Sequence, residues 1–290
     1  MSRWNLAPSL MGLAAVGLSV GCAQIVTFDE YTYDVDPCGP PPVSCDSGNE
    51  LAYVLTSFDV ARARAGRRDG FDLDATEEPI CGQNDWTSPR GEAGIDNQLS
   101  GIIELYESLE GVNVGETAQA DFLRGEGLVV IALRGVDSLE NDDCVDLSSR
   151  TARVPSSLPL SSLDVDGDGV LDANLPFEVE AARFRDASAC IIDGVIHARF
   201  GNALAIAPGL TGEIMGERLR ARMAISSSGI DGVIGGALSL DGFGASVPEE
   251  IVEFLRGRAD IGPSSPTARD CQSISFGVVF EGLPATIEAR

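Results

Sequence analysis

The sequence predicts an α+β fold dominated by strands, with an antiparallel sheet or sandwich in the C-terminal half and a few short helices. Three observations predict it. Arg218, Arg220 and Arg222 alternate with Leu219, Ala221, Met223 and Ile225, the period-two signature of a half-buried strand with guanidinium groups on one face. Around them, from Phe177 to Leu240, glycines punctuate short apolar runs, as in successive strands joined by turns. Helical spacing is confined to short segments, clearest over residues 95–111. With 290 residues, 44% of them hydrophobic, the chain can bury a real core as one large domain or two ordinary ones.

In chain order, residues 23–50 are rich in Pro, Asp, Cys and Gly and show no sustained period, which reads as a tether. Tyr53, Val54, Leu55 and Phe58, followed by Gly70 to Asp74, predict one or two strands between Glu50 and Asp74. A loop from Ala75 to Gly94 carries Trp86. Ile95, Leu99, Ile102, Ile103, Leu105 and Leu109 then fall near a helical spacing, and Gly111 is a natural stop. A second, short helix is expected over Thr117 to Leu123 and a buried strand over Leu128 to Arg134. Pro and Ser accumulate from Ser148 to Ser162, which reads as a loop or boundary. Beyond it, Ile192 to Ile196 (IDGVI) recurs as Ile230 to Ile234, a match suited to repeated strand and turn units but too short to establish duplication. Pro248 to Arg256 reads as a short helix with Pro in its first turn, and SISFGVVFEG from Ser273 as a closing strand.

The charge balance is strongly acidic: 20 basic residues, every one of them Arg, against 45 acidic ones give a formal charge of -25. A nucleic-acid partner needs a basic footprint, and the only basic stretch is Arg62 to Arg68, so that class of partner is disfavoured. Most of the acids read as a solvated surface. Asp69, Asp72 and Asp74 form an acidic grouping whose spacing matches no recognised loop, and they read the same way.

The chain opens Met1-Ser2-Arg3, runs uncharged from Leu6 to Gly21, and reaches Cys22. That is the layout of a signal peptide, and the apolar stretch is shorter than the ~20 residues that cross a bilayer. The residues before Cys22, ending in Gly21, resemble the lipobox of bacterial lipoproteins, although Ser19 stands where that family usually has Leu and Leu18 lies one place further back. The resemblance implies a diacylglyceryl group on Cys22 and a membrane partner through that anchor. With Ala23 following, it implies the outer membrane as the destination. Cleavage near Ala23 and plain secretion is the alternative.

Removing Cys22 from the count leaves six cysteines, Cys38, Cys45, Cys81, Cys144, Cys190 and Cys271. An even number in an exported chain predicts three disulfides. The short loop between Cys38 and Cys45 favours that pair on loop-closure entropy. Sequential pairing would then join Cys81 to Cys144 and Cys190 to Cys271. Zinc is a poor alternative, because the spacings are wide and His197 is the only histidine.

The sharpest chemical signal is Asp164-Val165-Asp166-Gly167-Asp168-Gly169-Val170-Leu171-Asp172. Calcium takes six to eight oxygens, and carboxylates at alternate positions in a glycine-turned loop can converge on one ion. Asp164, Asp166 and Asp168 have that spacing, Val170 would add its carbonyl, and Asp172 would act directly or through water. The loop resembles the DxDxDG loops of EF-hands, dockerins and thrombospondin type 3 repeats over about nine residues. Leu175 occupies the position where the EF-hand carries a bidentate Glu, so the resemblance implies a fixed structural Ca2+ site and no sensor; Glu178 or Glu180 would complete the shell.

Four regions result: a signal peptide over residues 1–21, a lipid-anchored tether with a small disulfide loop over 22–50, a mixed α/β region over 51–160, and a β-rich region over 161–290 that begins with the acidic loop. No catalytic constellation stands out. The only GxSxG string, Gly17 to Gly21, lies in the leader, and neither a phosphate loop nor HExxH is present. His197 reads as structural. The expected function is therefore a binding or structural module of the cell envelope with a protein or small-molecule ligand. The alternatives are a secreted hydrolase using paired carboxylates and a carrier with an apolar cavity.

Overall fold

The computed structural model describes residues 37–39, 45, 48–74, 81, 83–206, 213–241, 249–262 and 271–288. Eight strands close into a barrel in chain order: β1 (Asn49–Val60), β2 (Val129–Val136), β3 (Asp142–Arg153), β4 (Leu175–Ile192), β5 (Val195–Ile206), β6 (Glu213–Ser226), β7 (Gly229–Ser239) and β8 (Ser273–Glu288). All ring neighbours are antiparallel, and β8 returns to β1. The strand-dominated, antiparallel expectation holds, and the sheet closes on itself with strands from both halves of the chain. One further pairing is parallel, between Leu175–Glu178 of β4 and Ala285–Glu288 of β8. Through it β1, β2, β3, β4 and β8 close a smaller ring within the larger one.

The core follows from register. Phe58 of β1 faces Phe280 of β8, which faces Gly232 of β7, then Met223 of β6, Ile196 of β5 and Ile191 of β4. The side chains of this belt are buried. Gly232 marks a close approach of β7 to β6: a Cβ there would stand 2.3 Å from the Arg222 carbonyl oxygen. Both faces of β1 and β2 are enclosed along Tyr53–Leu55 and Val129–Leu133. Helices α1 (Gln98–Glu110) and α2 (Val114–Leu123) pack on β8 and β1 respectively. Helix α1 buries Leu99, Ile102, Ile103 and Tyr106 and ends at Gly111 with φ 69°, the left-handed cap that glycine adopts freely. At the start of α2 the Asn113 side chain accepts the Glu116 N–H. Helix α3 (Glu249–Arg256) begins just after Pro248, which lies outside the described residues.

Two expectations change. The stretch from Ser148 is strand as far as Arg153. It looks polar because Ser148 and Ser149 occupy buried positions there, and pairing to β2 and β4 on both sides supplies what local propensity lacks. The two IDGVI strings are not equivalent. Asp193 and Gly194 form the β4–β5 turn with φ of 51° and 77°, whereas Asp231 and Gly232 lie within β7.

Three disulfides form, in a different pairing from the expected one: Cys38 with Cys190, Cys45 with Cys144, and Cys81 with Cys271. Loop closure is a property of the open chain, and tertiary position overrides it. Cys38 lies beside the β4–β5 hairpin, where Cys190 faces His197. Cys45 is seated against Gly135, whose added Cβ would meet the Cys45 carbonyl at 2.5 Å. The two cysteines therefore meet adjacent strands, β4 and β3, and what was read as a tether with a small loop is riveted to the barrel at two points.

Candidate metal site and a buried carboxylate cluster

The acidic loop enters from a short 3-10 turn, Leu160–Ser162, and leaves into β4. Leu163 and Leu171 bracket it and are buried in the core, so both ends are fixed while the carboxylates stay near water. Gly167 and Gly169 take φ of 77° and 82°, conformations that glycine reaches without a Cβ penalty. The carboxylates organise the loop backbone: Asp164 accepts the N–H groups of Gly167 at 2.8 Å and Gly169 at 3.0 Å. Asp166 accepts from Asp168, and Asp168 from Val170. Gln119 of α2 donates to the Gly169 carbonyl at 2.8 Å, tying the loop to the helix.

Oxygens of Asp164, Asp166 and Asp168 lie within 4.8 Å of one another. Two oxygens on one calcium, each 2.3–2.6 Å from it, are at most about 5 Å apart, so these three fit a single coordination shell. Asp172 lies outside that group and uses its carboxylate to accept the Val165 N–H at 2.8 Å, lacing the loop shut. Val170 is half-buried with its N–H committed to Asp168. Glu180 pairs with Arg153 on the neighbouring strand. Cys22 lies outside the described residues.

A second cluster was not legible as one. Asp72 and Asp74 meet Asp96, with oxygens within 4.8 Å of one another, and Asp85 and Asp260 stand close enough to act on them. Asp96 is 1% exposed and Asp260 3%. Burial first, then the neighbouring Asp74, pushes Asp96 up to about 9. Burial raises Asp85 to about 7, with Asp74 and Asp72 adding to it. Burial also raises Asp260 to about 7 against hydrogen bonds from the Ser275 hydroxyl and N–H. Protonation therefore lowers the repulsion here at neutral pH most fully at Asp96, the group raised furthest. The surface reading is corrected for Asp74, which is buried; Asp72 is half-buried. Asp96 and Asp260 are far apart in sequence from one another and from Asp72, and no spacing rule joins them.

The arginines of β6 that alternation identified lie beside this cluster. Arg218 donates to the carbonyls of Leu73 at 2.6 Å and Gly262 at 3.1 Å, Arg220 to that of Asp72 at 3.2 Å, and Arg222 to both carboxylate oxygens of Glu92. They clamp the segment between β1 and α1 onto the barrel. His197 is an interior residue of β5, paired to Cys190 and Arg222.

The whole defines a disulfide-riveted, closed antiparallel barrel with an ordered acidic loop. Compared with known proteins, the chain matches no family model, no curated protein and no solved structure.

Proposed function

We propose that the chain is an exported cell-envelope protein, anchored by lipid on Cys22, whose barrel is a structural or binding module braced by calcium at Asp164, Asp166 and Asp168. The observation that carries the reading is the cysteine pairing: Cys38, Cys45, Cys81, Cys144, Cys190 and Cys271 satisfy one another. Cys22 is then the odd one, at the end of the apolar leader. Disulfides of this number belong to oxidising compartments. Intact mass of the protein from a native-type host tests the anchor. A cleaved chain beginning at Cys22 with acyl mass on it is expected; Met1 retained with free thiols defeats the reading.

Calcium is expected to raise the melting temperature. Binding at 100-fold over Kd adds about 2.7 kcal/mol, roughly 5–10 °C for a domain of this size. The gain should disappear with chelator and in Asp164→Asn/Asp168→Asn. An unchanged melting curve at millimolar calcium removes the brace.

Neither alternative gains equal support. Raised carboxyl groups favour acid catalysis in principle, but Asp96 and Asp260 are enclosed, which leaves Asp85 as the half-exposed member of the raised set. Eight-stranded closure suits a carrier, but Phe58, Phe276, Phe280, Met223 and Ile196 pack within one buried cluster, which favours a solid core.

A further inference from the structure

The segment joining β1 to α1 folds back over the outside of the barrel, and the carboxyl groups of two separate stretches of chain meet beneath it. Asp72, Asp74, Asp85 and Asp96 come from this segment, and Asp260 from the connection between α3 and β8. The same two stretches are joined covalently by Cys81–Cys271 and bridged by Arg218, which donates to Leu73 on one side and Gly262 on the other. The disulfide holds together groups that repel when ionised.

We propose that this seam is a proton-dependent clasp: it is closed while Asp85, Asp96 and Asp260 carry protons, and it loosens, still tethered by Cys81–Cys271, when they lose them. The groups facing it from each packed element are in place for that role. The Leu73 N–H donates to Asp96 at 2.6 Å. The Ser275 Oγ of β8 bonds Asp260 and accepts the Gln98 N–H at the start of α1 at 2.9 Å. Among the cationic groups of β6 beside it, Arg218 and Arg220 donate to main-chain carbonyls of both stretches, and Arg222 pairs with Glu92 of the covering segment.

The sign is fixed by burial. These carboxyls titrate above the unfolded value of about 4, so their contribution to closure is complete at acid pH and is lost as pH rises through about 7 for Asp85 and Asp260 and about 9 for Asp96. Hydrogen bonds of the covering segment around these carboxyls report on it: Leu73 N–H to the Asp96 carboxyl, Asp96 N–H to Phe71, and the reciprocal pair of Trp86 and Ile95.

Hydrogen exchange of the full, disulfide-intact protein, corrected for intrinsic rates, provides the test. Protection of the Leu73, Trp86, Ile95 and Asp96 amides is expected to fall about tenfold or more from about pH 6 to about pH 9, one pH unit of a single proton being worth a factor of ten. Amides of β2 and β3 should hold. Asp96→Asn, whose amide oxygen still accepts the Leu73 N–H, should flatten the fall at the seam. Asp85→Asn, at a half-exposed position, should reduce it in part and serves if the first variant does not fold. A flat profile in the wild type, an equal loss in β2 and β3, or the wild-type profile in whichever variant folds overturns the clasp.

Discussion

Replacing Arg68 with Ala is expected to cost about 3–5 kcal/mol, the range for removing one member of a buried ion pair. The guanidinium is 2% exposed and lies 4.4 Å from the centroid of the Trp86 ring. One edge donates to Glu104 at 2.7 Å and to the Asn97 carbonyl at 3.3 Å. Glu104 in turn accepts the Ala63 N–H at 2.8 Å. Truncation leaves the carboxylate without its cation, the Asn97 carbonyl without its donor, and a void between Trp86 and α1. Lys is no remedy, because a point charge cannot replace a planar fork that both stacks and donates twice. Urea denaturation reads the loss directly, with the melting temperature falling by roughly 6–20 °C at this chain size. A change below about 1 kcal/mol, typical of an exposed pair, would mean the site is open to water.

The second large effect is expected from Cys81→Ser/Cys271→Ser, at about 2–5 kcal/mol. The bridge joins residues 190 apart, and a cross-link restricts the unfolded chain more as the loop it closes lengthens. The path through Cys38–Cys190 shortens the effective loop, which places the loss within that range and not above it. The double mutant should keep β-sheet circular dichroism while unfolding at lower urea. Unaltered stability would show that the two stretches are held by packing alone.

Periodicity along the chain read well wherever one face of an element decides its burial. Gly111 stops α1 as expected, and the Arg218, Arg220, Arg222 alternation lies on β6. Strand β3 escaped because two of its buried positions are serines whose fitness comes from neighbours. The number of disulfides was legible from parity, but their pairing was not. Entropy along the chain says nothing about which strand Cys38 will lie beside. The acidic loop was legible because its three carboxylates are two residues apart. The cluster around Asp96 was not, since the segment between β1 and α1 folds Asp72 and Asp74 back onto Asp96, and Asp260 reaches them only through the return of the chain from α3 to β8.

The last strand also governs how the molecule can be made. β8 hydrogen-bonds to β1, β4 and β7, so three strand edges depend on this one segment for their partner. Long-range pairing of this kind slows folding and leaves partly made chains prone to edge-to-edge association. A polypeptide lacking residues 273–288 would keep most of its apolar belt yet present open edges on β1 and β7. It should therefore accumulate as aggregate, making β8 the keystone that closes the ring.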